Sequence, residues 1–178
     1  MSLYASSQRV AVNPSAFQLG VPTQALLDGY TTGAQAITDI NIGSACFYVD
    51  LNGVDSTVQQ TQTAGTILAG VAIRSNANAM SFAQSEFGYS SVLPQGAGIS
   101  ILTRGSIAVS IAVANEAGSI PLRGSIVYAM PNGTWQTQSV GGTAPATGIA
   151  TNFRVRQVQS GWTVDGIVVI TNQQNVGV

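Results

Sequence analysis

With 178 residues, a net charge of -1, a pI near 5.0 and only 7% charged side chains, the chain is long enough for one domain or two small ones. It carries far fewer ionised groups than the roughly 25% usual in soluble domains. Histidine and lysine are absent and all six basic residues are arginines (Arg9, Arg74, Arg104, Arg123, Arg154, Arg156), which excludes the Ser-His-Asp and Ser-Lys routes to a nucleophile and argues against nucleic-acid binding. A chain that gives up its hydrating charges is expected to lay much of its surface against copies of itself or against another protein.

Residues 1–35 read as an N-terminal arm or edge segment. Tyr4, Val10, Val12, Phe17, Leu19, Val21, Leu26 and Leu27 are scattered among small polar residues without a sustained period, so the segment is either an arm ordered against a neighbour or an ordinary edge strand and loop. Met1 to Arg9 lacks the basic and apolar regions of a signal peptide, and no apolar run approaches the ~20 residues of a membrane span. The expectation is a protein made and kept in the cytosol, with no membrane partner. Helix signals are confined to one turn at Asn13 to Phe17 and a short helix or ordered loop within Asn78 to Phe87.

Residues 36–178 read as the β domain, because the apolar period is two. Strands are predicted at Ile37 to Ile42, Ala45 to Val49, Thr66 to Ile73 and Ile99 to Leu102. In the next strand Ile107, Val109, Ile111 and Val113 alternate with Ser106, Ala108, Ser110 and Ala112, predicting packing on both faces. Further strands follow at Ile126 to Ala129, Trp135 to Gln138, Gly148 to Ala150, Phe153 to Arg156 and the β-branched run Val164 to Ile170. Asn52-Gly53, Asn132-Gly133 and Ser160-Gly161 supply hairpin turns, Gly105 marks a bulge or tight corner, and Ser139 to Thr147 is a surface loop. A weak echo places glycine before a β-branched residue in Ala69-Gly70-Val71-Ala72, Thr147-Gly148-Ile149-Ala150 and Asp165-Gly166-Ile167-Val168, as topologically similar strands would. The fold class is all-β: a single compact antiparallel β-sandwich or barrel-like domain with an extended N-terminal arm.

Catalytic chemistry would have to come from Asp28, Asp39, Asp50, Asp55, Glu86, Glu116 and Asp165, none in a recognisable motif. Asp50-Leu51-Asn52-Gly53-Val54-Asp55 crowds oxygens round a glycine but lacks the spacing and closing glutamate of a calcium loop. Cys46, the only cysteine, reads as a buried inert thiol, and Asn132-Gly133-Thr134 as a turn and not a glycosylation site. Tyr30, Tyr48, Tyr89, Tyr128, Trp135 and Trp162 are read as core or interface anchors ahead of a stacking platform, with at least one of the two tryptophans at the periphery. No catalytic residue, cofactor or metal is expected.

The ordered set Leu68 to Ala72, Gly98 to Val109, Gly124 to Ala129, Asn132-Gly133-Thr134-Trp135 and Asp165 to Ile170 resembles the cement or decoration proteins of tailed-bacteriophage capsids, over roughly residues 65 to 171. The resemblance implies a compact β domain on the outer surface of a virion capsid, bridging subunits of the phage major capsid protein and stabilising the shell. It also implies contacts between neighbouring copies or a homo-oligomer. Two rivals are a tail, baseplate or fibre component that binds a host-surface glycan, and a small carbohydrate-active enzyme working from carboxylates alone. The candidate contact residues are Tyr4, Val10, Phe17 and Leu19 in the arm, with Arg154 and Arg156 on one strand face.

Overall fold

The computed structural model describes residues 30–49, 56–64, 66–73, 92–116, 118–158 and 167–171. Twelve strands and no helix occur among them: β1 Tyr30–Ala36, β2 Ile40–Asn41, β3 Ala45–Tyr48, β4 Thr57–Gln59, β5 Ile67–Ile73, β6 Val92–Leu93, β7 Gly98–Arg104, β8 Ser106–Val113, β9 Ile126–Ala129, β10 Trp135–Thr137, β11 Ile149–Val158 and β12 Ile167–Thr171. The expected all-β, barrel-like fold is what the chain adopts. Both expected helical segments, the hairpin glycines at 53 and 161, and residues 1–29 lie outside the described residues, whereas residues 30–36 form β1.

Ten of the strands close into two five-stranded barrels, and β2 with β6 makes a separate ribbon. In the first barrel β1 pairs in parallel with β4, and antiparallel pairs β4–β3, β3–β5, β5–β7 and β7–β1 complete the ring. In the second, β8 pairs in parallel with β10, and antiparallel pairs β10–β9, β9–β11, β11–β12 and β12–β8 complete it. Both rings have the same wiring: first strand to third in parallel, then third to second, second to fourth, fourth to fifth and fifth back to first. Of the three places of the glycine echo, residues 69–72 and 147–150 fall on the fourth strand of each ring, at β5 and at the start of β11, whereas the described residues of the third, 167–168, open β12, a fifth strand.

Cross-strand partners share a face, so registry tells inside from outside. Ala34 lies opposite Ile99, Ala72 opposite Ile101 and Tyr48 opposite Val58, while Gly33 and Gln35 are exposed, which places the first set inside the first barrel. This interior, with Ala36, Cys46 and Ala69, is capped by Ile40, Ile42 and Leu93 on and beside the β2–β6 ribbon. The outer wall of the same barrel carries Ala45, Phe47, Val71, Ile73 and Leu102, which join Ile107, Val109, Ile111, Val127, Trp135, Phe153 and Val155 of the second barrel in one core cluster. One barrel therefore packs its wall against the filling of the other.

The crossing between barrels takes one residue. Gly105, buried and at φ 130, separates β7 from β8, a backbone conformation that side chains rarely adopt, and turns the strand from one ring into the next. The predicted corner is there. Gly70 serves close approach: at φ +147 in a bulge of the β3–β5 pair, it leaves so little space that a Cβ would stand 2.4 Å from the Leu102 carbonyl oxygen.

Several expectations are revised. The strand predicted over Ile37 to Ile42 shortens to Ile40–Asn41, because the chain bends at Ile37 and Thr38, next to Asp39, whose Oδ1 accepts the Gln95 N–H at 2.9 Å. β4 and β6 are not among the predicted strands, since such short segments lack a run of bulky alternating residues, and β1 falls at the end of the segment read as an arm or an edge strand. Residues 149–150 and 153–156 belong to one strand, β11, whose registry with β9 slips between Ala150 and Arg154. β8 is buried on both faces only at its start: Ser106 and Ala108 are covered, Ser110 and Ala112 are exposed.

Candidate functional site

The groups considered for chemistry are mostly occupied by the fold. Cys46 is fully buried, and burial pushes its thiol from 9.0 up to about 12 against the weaker pull of hydrogen bonds from the Ala72 backbone and Ser44, so it is a neutral core group at physiological pH. Of the carboxylates within the described residues, Asp39 caps the Gln95 N–H and Glu116 Oε1 accepts the Val140 N–H at 3.1 Å. They hold loops. Asp28, Asp50, Asp55, Glu86 and Asp165 lie outside the described residues, as does the oxygen-rich stretch 50–55. Among the described residues no three His, Cys, Asp or Glu side chains gather to hold a metal.

Asn132-Gly133-Thr134 is the β9–β10 hairpin turn, as expected, and it also joins the barrels. Asn132 Oδ1 accepts both the Thr134 N–H and the Thr134 hydroxyl, at 3.1 and 2.7 Å. Gly133, at φ 83, accepts the Ala45 N–H at 2.8 Å on its carbonyl, and a side chain there would run into Gln60. Gln60 Nε2 in turn donates to the Asn132 carbonyl at 3.3 Å, and the Gln62 N–H to Pro131 at 2.6 Å.

Trp135 follows at once. It is 2% exposed, meets Phe153 edge-on with ring centroids 6.1 Å apart, and donates its indole N–H to the Gly43 carbonyl at 2.7 Å. It is a core anchor, as read for the strand aromatics, because its turn packs on the other barrel and not on solvent; of the two tryptophans, at least one of them expected at the periphery, Trp135 is not that one. Trp162 lies outside the described residues. An open cleft of about 300 Å³ runs along this seam, between Asn41 to Ser44 and Gln60 on one side and Ser110 to Ala112 and Gly133 to Gln136 on the other. Its lining is uncharged, and Trp135 reaches it from a buried position, so it presents no aromatic stacking platform.

Two kinds of outward feature remain. Ile120, Leu122 and Val140 are 52%, 53% and 59% exposed, on the β8–β9 and β10–β11 loops that the Glu116 hydrogen bond ties together. Arg154 and Arg156 alternate with the buried Phe153 and Val155, so both point outward from β11. Arg154 Nη1 donates to the carbonyls of Thr151 and Phe153 at 3.1 and 3.0 Å, and Arg156 Nη1 to Ser106 Oγ at 3.2 Å. The other four predicted contact residues, Tyr4, Val10, Phe17 and Leu19, lie outside the described residues.

The model of one protein family, described as "Structural cement protein (E217 gp24/Pam3 gp6)", matches residues 14–172. The chain belongs to this family of phage structural cement proteins. A solved structure described as "The capsid of Myoviridae Phage XM1" contains a similar chain, with a TM-score of 0.60 at 12% identity, covering 88% of this chain and 90% of that one. At that identity the likeness establishes the shared fold. No curated protein matches. The resemblance read from residues 65 to 171 thus extends over residues 14–172 of the chain, and a structural part in the virion capsid is the family role. What the sequence did not reveal is the seam: the contacts of Gln60, Gly43 and Trp135 join positions up to 92 residues apart, and nothing local to any of them signals the pairing.

Proposed function

We propose that this protein binds the outer surface of an assembled phage capsid and stabilises the shell by bridging adjacent major capsid protein subunits. The observation that carries this reading is the cement-family match across residues 14–172. Two closed rings support it physically, since a barrel has no free sheet edge along which copies could polymerise before they reach the shell. On this reading the protein has no enzymatic activity, is made in the bacterial cytoplasm, and touches neighbouring copies on the shell. Tyr4, Val10, Phe17 and Leu19 act as a clasp on an adjacent subunit, each contributing roughly 1.5–3 kcal/mol of burial before ordering costs.

The experiment is to assemble phage heads without the protein, add it back, and measure both its density on the shell and the temperature at which the heads break. Added protein should appear between capsid subunits and raise the breakage temperature. Density confined to the tail or baseplate would favour the glycan-binding rival, and unchanged head stability would remove the bridging role. A protein lacking residues 1–29 should decorate heads and then be lost on dilution; equal retention would move attachment to the barrels.

A further inference from the structure

Four of the six arginines fall on one arc of the surface. Arg154 and Arg156 point outward from β11, and Arg156 reaches across to Ser106, two residues beyond the exposed Arg104 at the end of β7. On the other flank the Gly124 N–H donates to the Val155 carbonyl at 2.7 Å, which sets the exposed Arg123 beside β11. The described carboxylates, Asp39 and Glu116, are engaged with the backbone N–H groups of Gln95 and Val140. All six basic residues of the chain are arginines, and the four that are described lie on three neighbouring segments, each with a planar fork.

We infer that Arg104, Arg123, Arg154 and Arg156 form a docking surface for carboxylates presented by the capsid shell protein. This inference rests on the cement reading above and names the chemistry of its partner. Solvation alone does not call for arginine, since lysine is the more strongly hydrated cation and the chain has none. Arg154 is held in advance: Nη1 is tied to two carbonyls at the β11 registry slip, which leaves the rest of its donors for a ligand and lowers the ordering cost of binding. The two carboxylates described here, Asp39 and Glu116, already accept backbone N–H groups, and the shell protein is the partner that the cement reading supplies. Duplex DNA is a poor ligand for a chain of net charge -1, because affinity for phosphate is built from many neutralised contacts.

The test uses full-length protein and phage heads lacking it, with binding measured from about 0.05 to about 0.5 M NaCl. Wild-type binding should weaken steeply with salt. R154Q/R156Q should bind on the order of tenfold more weakly, adding R104Q/R123Q should cost on the order of tenfold more and flatten the salt dependence, and R154K/R156K should recover only part of the loss. R123Q, on an exposed turn, should weaken binding with an unchanged melting temperature, which separates the effect from misfolding. Poly-L-glutamate should compete with the heads; competition by a duplex DNA oligonucleotide in its place would overturn the carboxylate assignment. If wild type rebinds and the fourfold glutamine variant is retained equally, the arc is not the docking surface while the cement reading stands. If wild type does not rebind at all, both fall.

Discussion

The two barrels share one wiring diagram and solve the problem of filling it in opposite ways. Inside the first, Ala36, Cys46, Ala69 and Ala72 leave a narrow interior that Val58, Ile99 and Ile101 fill, and the β2–β6 ribbon with Ile40, Ile42 and Leu93 closes it from its own sequence. Inside the second, Ile107, Val109, Ile111, Trp135 and Phe153 are larger, and the side chains completing their cluster, Phe47, Val71 and Leu102, belong to the outer wall of the first. The lesson is one of dependence. The first barrel carries its own closure, whereas the second borrows its from its neighbour, so damage at the seam should weaken the second more than the first.

Trp135→Ala should be the severest single test of that asymmetry. It removes a 2% exposed side chain, its edge contact with Phe153 and the hydrogen bond to Gly43, for a cost of roughly 3–5 kcal/mol. Amide exchange should accelerate in β8–β11 more than in β1–β7; a uniform rise would show that the barrels unfold as one cooperative unit. Alkaline titration probes the first barrel from inside. The Cys46 thiol has its folded pKa raised from 9.0 to about 12, so the stability tied to its neutral form is whole below pH 9 and is lost as pH rises from there towards 12. At pH 11 wild type should have lost on the order of 3 kcal/mol more than Cys46→Ala, and parallel pH profiles of the two proteins by denaturant unfolding would refute this.

Gly70→Ala attacks the first barrel where β5 crowds β7. With φ at +147 and the Leu102 carbonyl 2.4 Å from the new Cβ, the backbone must move, at a cost of roughly 2–3 kcal/mol. A melting temperature within a degree or so of wild type would show that the bulge relaxes freely. The smallest effect is expected from Asn132→Ala, which deletes two hydrogen bonds to Thr134 in the hairpin that touches the first barrel, for about 1 kcal/mol. Restoring that loss with Asn132→Asp, which keeps the acceptor oxygen, would assign the effect to the turn.

The sequence by itself determined the class of structure and most of its strands, because a period of two and turn glycines act over a few residues. Ala45–Tyr48, Ile67–Ile73, Ser106–Val113 and Ile126–Ala129 are strands for reasons visible within each stretch, and Gly105 announced a corner by interrupting an apolar run. It also limited the chemistry, since a chain without histidine or lysine cannot assemble a Ser-His-Asp or Ser-Lys nucleophile whatever its fold. Tertiary structure alone decided that the corner separates two rings, that those rings are wired alike, and that Trp135 is buried. It likewise decided that Arg104 and Arg123 join Arg154 and Arg156, which in the sequence looked like an isolated pair. The physical reason is range: alternation and turn chemistry are read from neighbours along the chain, whereas ring closure, the burial of one barrel's wall by another, and a charge arc drawn from three separate segments are set by long-range pairings, such as β1 with β7 and β8 with β12, that leave no mark on either partner alone.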